Sequence, residues 1–250
     1  MLSLAFNPSS ARWTRGTSEA RRGRHNWEVR CLTAFFGRSI DADWKAICLR
    51  LDEQLELFDR RPELVPPLIA QRLLVSGEDH RHGIHPGFDP IAICRAFWRR
   101  LSRHSREGAS TIEQQVVRVL TGRYERTLSR KLREILLAVL VVRRYPKARM
   151  PAIYLSVAYY GWRMHGYHQA CRRLELSPDG LTVYDAARVV ACLKYPQPRV
   201  MCGGRERQIG IRAKHLRTLY ERHVRGRTYF HLYGPSFQRR TPTLRPVSQS

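Results

Sequence analysis

Residues 77–134 decide the reading. They open with Gly77-Glu78-Asp79-His80-Arg81-His82-Gly83-Ile84-His85-Pro86-Gly87-Phe88-Asp89 and continue with Gly108-Ala109-Ser110-Thr111-Ile112-Glu113-Gln114-Gln115, leading to Arg118. They close with Arg126-Thr127-Leu128-Ser129-Arg130-Lys131-Leu132-Arg133-Glu134. A carboxylate stands at each end, and the middle is polar and cationic. A carboxylate can take a proton from a hydroxyl, and grouped cations can stabilise a departing phosphate. That combination points to chemistry on sugars and phosphates.

Helical periodicity surrounds the stretch. Trp44, Ile47, Leu51, Leu55 and Phe58 recur at helical spacing over Asp41–Phe58. A second helix over Leu64–Val75 delivers Glu78 at its C-terminal end, where the helix dipole opposes a negative charge and raises a carboxyl pKa. Gly83–Asp89 reads as a loop, and Asp89-Pro90 as the cap and first turn of a helix to about Ser105. The end of that helix carries Arg99, Arg100, Arg103, His104 and Arg106. Ser110-Thr111-Ile112-Glu113 has the capping-box pattern and opens a helix to Leu120. Gln114, Gln115 and Arg118 share neighbouring faces of it.

Arg126, Arg130 and Glu134 fall at fourfold spacing on the next helix. Taken alone, that stripe reads as a surface Arg130–Glu134 ion pair worth little. Further helices are expected over Met150–Tyr160, from Leu181-Thr182 (with Asp185 completing a capping box) to Lys194, and over Arg205–Val224. Trp162–Cys171 reads as irregular. The expected fold is mostly α. Its expected parts are a basic, poorly ordered segment over 1–40, a folded domain over 41–225 and a tail over 226–250.

The chain has 250 residues, 43% of them hydrophobic, which is enough for a core, and a net charge of +24. A surface this basic attracts nucleic acid, anionic membrane or a phosphorylated substrate. Nucleic acid is disfavoured, because the basic residues spread over all helices and no zinc finger or RNP-like motif occurs. The six cysteines form no CxxC pair and read as reduced, buried thiols, with Cys94 and Cys192 on apolar helical positions. The longest apolar run, Ile135–Val142, is 8 residues, against about 20 for a membrane span. His80, His82 and His85 share one loop, and no distant partner completes a zinc site with them.

With these residues assembled, the sequence resembles glycosyltransferase family 51. That family comprises the peptidoglycan transglycosylase domain of class A penicillin-binding proteins and the monofunctional peptidoglycan glycosyltransferases. The resemblance runs from about Leu64 to Arg199. Glu78-Asp79 with His85 and Gly87 matches the motif EDxxFxxHxG. Gly108–Gln115 matches GGSTIxQQ, and Arg126–Glu134 matches RTLxRKxxE. Ile153-Tyr154-Leu155 with Tyr159 and Gly161 matches ILxxYLNxxYxG, and Tyr195-Pro196-Gln197-Pro198 resembles the closing PxAP-type segment.

The resemblance implies a lysozyme-like helical fold with two lobes. It implies polymerisation of lipid II at the outer, periplasmic face of the cytoplasmic membrane. Glu78 would deprotonate the acceptor 4-hydroxyl, and Arg118 and Arg126 would stabilise the pyrophosphate leaving group. Glu134, the second catalytic carboxylate, would orient these cations or the diphosphate. Substrate-binding roles would fall to Asp79, Arg95, Ser110, Thr111, Gln114, Gln115, Arg118, Arg126, Arg130 and Lys131. No cofactor is required, although a divalent ion, Mg2+ or Mn2+, could sit near Glu134. The implied partners are lipid II, the growing glycan strand and an anionic membrane surface.

Four positions depart from the family pattern: His82 stands for Phe, Ala109 for the second Gly, Arg118 for Lys and Ser156 for Asn. A membrane anchor and a transpeptidase domain are not recognised in the chain. These departures favour an alternative, a catalytically impaired scaffold that binds lipid-linked or glycan ligands. A lysozyme-like hydrolase with Glu78 as acid is a further reading, but the Arg-rich third motif favours a phosphate leaving group.

Overall fold

The computed structural model describes residues 38–103 and 110–225. The expected basic segment before residue 38, its Leu32–Phe36 stretch, residues 104–109 with the Gly108-Ala109 opening of the second motif, and the tail from 226 lie outside the described residues. The chain divides into two compact units, 1–44 and 45–250. Of the first, only 38–44 is described, as the opening turns of a helix.

The described residues are mostly helical. In chain order the helices are α1 (Arg38–Arg60), α2 (Leu68–Glu78), α3 (Pro90–Arg103), α4 (Ile112–Thr121), α5 (Leu128–Arg144) and α6 (Met150–Val157). After a small hairpin come α7 (Tyr167–Arg173), α8 (Val183–Lys194) and α9 (Gly203–Arg225). Helix α2 begins after Pro66-Pro67 and buries Ala70, Leu73, Leu74 and Val75. It packs against α8 and α9, whose buried faces carry Ala186, Val189 and Val190, and Ile209, Ala213 and Leu216. Helix α4 buries Ile112, Val116 and Val117 against α5 and α6. These two packing groups set the ends of the central stretch beside each other, because α2 also contacts α6.

Caps follow the expected chemistry with one shift. Thr182 and Asp185 form both arms of a capping box at α8. Asp89 accepts from the Ile91 and Ala92 amides at the start of α3. At α4, however, Thr111 is the N-cap and accepts from the Gln114 amide. Ser110 and Glu113 therefore form no capping box, and Glu113 points into the interior.

The expected helix over Met150–Tyr160 stops at Val157. Tyr159–Gly161 (β1) instead pairs antiparallel with Met164–His165 (β2). The run is too short to show an alternating pattern, so the sequence concealed it. Gly161 is needed there: its φ is +143°, and a Cβ would lie 2.3 Å from the Gln197 carbonyl oxygen. The Trp162 amide donates to that oxygen at 2.8 Å, which ties the 195–198 segment to the hairpin. The Trp162–Cys171 region, read as irregular, thus holds a strand and most of α7.

Cys171 and Cys192 are buried free thiols, each raised to about 11 by burial. Cys94, expected on a buried face, is exposed, as is Cys202. No helix among the described residues is long and apolar enough to cross a membrane.

Candidate active site

Helix α2 ends on Glu78, whose side chain is 27% exposed. Glu78 borders an open hollow that is also lined by Arg81, Ala92, Arg95 and Ser110. One Glu78 oxygen lies 3.4 Å from Gln115 Nε2, on the first turns of α4. The other accepts from Arg212 Nη2 at 2.6 Å, and the same guanidinium reaches the Gly77 carbonyl at 3.1 Å. Arg212 therefore offsets the helix dipole that a C-terminal carboxylate would otherwise oppose. Sequence reasoning missed Arg212. The available signal was a cation on the buried stripe of α9, between Ile209 and Leu216.

The cationic end of the site is built on Glu134. Its side chain is 3% exposed and carries three cations. Arg118 makes a two-pronged contact, Nε to Oε2 at 2.9 Å and Nη2 to Oε1 at 3.0 Å. Lys131 Nζ donates to Oε1 at 2.8 Å, and Arg130 bonds Oε2. The Arg130–Glu134 contact is thus part of a buried cluster and not the surface pair that spacing suggested. Burial disfavours the Glu134 charge, but the bonds from Arg118 and Lys131 outweigh it and hold the carboxyl below its usual range. Burial likewise lowers Lys131, partly offset by Glu134.

Helix α4 connects the two ends. Ser110, just before it, accepts from Lys131 Nζ at 2.9 Å and from Arg118 Nη2 at 3.4 Å. Gln114 is fully buried, and its side-chain oxygen also takes Lys131 Nζ. Gln115, the next residue, faces Glu78. Tyr154 on α6 completes this region; burial, then the negative charge of Glu78, raises its hydroxyl well above the ordinary value.

The structure brings most of the expected residues together, with three corrections. Asp79 is buried, with His85 Nε2 3.0 Å from each oxygen and the Ile112 amide donating to one at 3.1 Å. Burial opposes its charge, yet the His85 imidazole bonded to both oxygens holds it well below the carboxylate range. Its oxygens are taken up inside the protein, where they lock the 83–89 loop to α4. Thr111, also buried, donates to the Gly87 carbonyl at 2.7 Å and caps α4. Arg126 precedes α5, is exposed, and makes no hydrogen bond or ion pair to a described residue; the fourfold stripe fails because the helix begins only at Leu128.

A divalent ion beside Glu134 does not fit this donor set. Both carboxylate oxygens already accept from cations, and an added Mg2+ or Mn2+ would face all three at close range. His82 and His85, set aside as lacking a distant partner, meet Glu113 from α4. His80 instead stacks near His223, with ring centroids 6.0 Å apart.

The transglycosylase family profile matches residues 54–216. Penicillin-binding protein 1A of Escherichia coli is 34% identical over 134 residues, which is 53% of this chain and 16% of that protein. Penicillin-binding protein 1A of Rickettsia felis is 33% identical over 147 residues, 56% of this chain and 19% of that protein. A Cupriavidus necator protein, named as a candidate transglycosylase, is 31% identical over 149 residues, 58% of this chain and 64% of that protein. The chain thus spans under a fifth of the two penicillin-binding proteins and under two thirds of the third relative.

Proposed function

The chain belongs to the transglycosylase family, and from that premise we propose that it is a peptidoglycan glycosyltransferase. Its reaction polymerises lipid II into β-1,4-linked glycan strands with release of polyprenyl pyrophosphate. The observation that carries the reading is the pairing, across one turn of α4, of a part-exposed carboxylate with a cluster of three cations.

In this reading Glu78 takes the proton from the acceptor 4-hydroxyl. The oxygen forms its bond to the donor anomeric carbon as the bond from that carbon to the pyrophosphate breaks, with inversion. Arg118, Lys131 and Arg130 face the charge that grows on the leaving group, where fixed cations are most effective. Glu134 positions these cations and touches no reacting atom. Gln115 orients Glu78, and Ser110 and Gln114 hold Lys131. No step runs through a metal ion. Arg126 is free to reach a bound diphosphate from outside the cluster.

The reaction would take place at the outer face of the cytoplasmic membrane. The net charge of +24 supports contact with an anionic bilayer surface. The alternative, an impaired scaffold that binds lipid-linked glycans, is favoured by one feature: the Arg212 guanidinium already pairs with the proposed base.

Incubating the purified chain with labelled lipid II separates the readings. Growing polymer supports the glycosyltransferase. Lipid II bound but unchanged supports the scaffold, and released disaccharide would indicate a hydrolase.

A further inference from the structure

Behind the cleft, two chain segments, 79–85 and the first turn of α4, bring Asp79, His82, His85 and Glu113 together, all buried, with one ligand atom from each within 4.8 Å of the others. Two of these residues are not asked for by the motifs around them. His82 stands where the first motif has Phe, and Glu113 fills the free position of the second.

The hydrogen bonds assign the imidazole tautomers. His82 Nε2 lies 3.2 Å from the Lys147 carbonyl oxygen. A carbonyl only accepts, so Nε2 carries the hydrogen and Nδ1 presents its lone pair. That Nδ1 lies 3.2 Å from Glu113 Oε1 and 3.6 Å from Asp79 Oδ2. Neither Nδ1 nor either Glu113 oxygen has a hydrogen-bond partner, although Glu113 is 0% and His82 1% exposed. Three electron-rich atoms thus converge in the interior, which is costly without a cation.

Lys147 does not remove the problem. Its ammonium donates to the His85 carbonyl and lies 3.3 Å from His85 Nδ1, while Glu113 Oε1 is 3.8 Å away. It offsets one of the two carboxylate charges and leaves the other. A proton on His82 could supply the balance, but Nδ1 aims at neither carboxylate with hydrogen-bond geometry.

We propose that Asp79, His82 and Glu113 bind one divalent transition ion, Zn2+ by donor chemistry, with His85 orienting Asp79. Imidazole and carboxylate donors suit Zn2+, and a tetrahedral site with bonds of about 2.0–2.2 Å has donor–donor edges of about 3.3–3.6 Å. The 3.2 Å and 3.6 Å separations fall at that spacing. The supporting contacts also match: His82 gives its other ring N–H to a backbone carbonyl. The Gly87 amide donates to His85 Nδ1 at 3.2 Å, so His85 Nε2–H holds the Asp79 carboxylate. The ion would pin the loop after Glu78 to the first turn of α4, a structural role independent of the proposed reaction.

The test uses the full-length chain, stripped with a chelator and titrated with Zn2+ alone, then with Co2+. One equivalent of Zn2+ should bind at micromolar concentration or tighter, raising the melting temperature. Co2+ should give the intense visible bands of a tetrahedral site. His82→Phe and Glu113→Gln should each weaken binding about 100-fold or more, at or beyond the top of the roughly 10–100-fold range for losing only an outer-shell partner. Far-UV circular dichroism checks that both variants fold, and the wild-type titration decides the matter even if they do not. No stoichiometric ion on the folded wild type overturns the proposal. So does an ion whose binding survives both substitutions, or a nitrogen NMR signature of doubly protonated His82 in the presence of excess Zn2+.

Discussion

Glu134→Gln, compared with Lys131→Met, tests whether Glu134 is the keystone of the cation cluster. The carboxylate holds Arg118, Arg130 and Lys131, whose side chains are 30%, 15% and 29% exposed. Removing one partner of a fully buried pair costs about 3–5 kcal/mol. Water reaches these cations and Gln keeps one acceptor, so a loss of about 2 kcal/mol is expected here. For a domain of this size that corresponds to a melting temperature lower by about 4–8 °C. Lys131→Met acts in the opposite sense on charge, because it relieves a crowded cluster and removes a partly desolvated ammonium. Its stability cost should stay within about 1 kcal/mol. Both variants should lose polymerisation activity. Urea unfolding of the two variants beside wild type, with turnover on lipid II, makes the comparison. If Lys131→Met destabilises as much as Glu134→Gln, or if Glu134→Gln costs under about 0.5 kcal/mol, the keystone argument is wrong.

Glu78→Gln should lower polymerisation by about 10²–10⁴-fold with an unchanged melting curve, since Gln cannot take the acceptor proton; wild-type turnover in that variant removes Glu78 from the mechanism. Arg126→Ala should leave stability within about 0.5 kcal/mol, because the residue is exposed and unpaired with described residues; a sharp drop in melting temperature contradicts its placement. Because the native Glu134 carboxyl is held low, its contribution to stability is complete above the unfolded value of about 4.3 and is lost as pH falls through the native one. Wild type should therefore lose stability more steeply than Glu134→Gln between about pH 5 and pH 3 in urea titrations, and equal slopes would refute the assignment. Gly161→Ala should destabilise by about 1–3 kcal/mol or more, from backbone strain and the close Gln197 carbonyl; a neutral effect in thermal unfolding would contradict the hairpin geometry.

The helices and the side chains that gather at the candidate site were legible in the sequence because local signals carry them. Pro90 after Asp89, Thr182 with Asp185, and the apolar stripe of α2 are short-range features. Glu78, Gln115, Arg118 and Glu134 were legible because they recur in fixed motifs. What stayed hidden depends on tertiary contact. Glu113 looks like half of a capping box until the Thr111 hydroxyl takes the Gln114 amide and turns Glu113 inward. Asp79 looks like a substrate contact until His85 and the Ile112 amide occupy its oxygens. The β1–β2 hairpin is only a few residues of strand, held by Gln197 from far along the chain, and no periodic pattern of that length exists to be read.

Arg212 changes what the sequence suggested about charge along the cleft. A lone carboxylate at the end of α2 would make that end of the site anionic. With Arg212 against it, one cation meets one carboxylate there. At the other end three cations meet the single carboxylate of Glu134. The cleft therefore grades from balanced at the proposed base to strongly positive at the cluster, across about one turn of α4. A substrate with a neutral hydroxyl at one end of the reacting pair and a pyrophosphate at the other would be aligned by that gradient before any specific hydrogen bond forms. The same gradient disfavours the reverse orientation, in which the pyrophosphate would lie against Glu78. On this argument Arg212 contributes to orientation as well as to holding the base. Its distance in sequence from the motifs explains why a reading confined to them leaves it out.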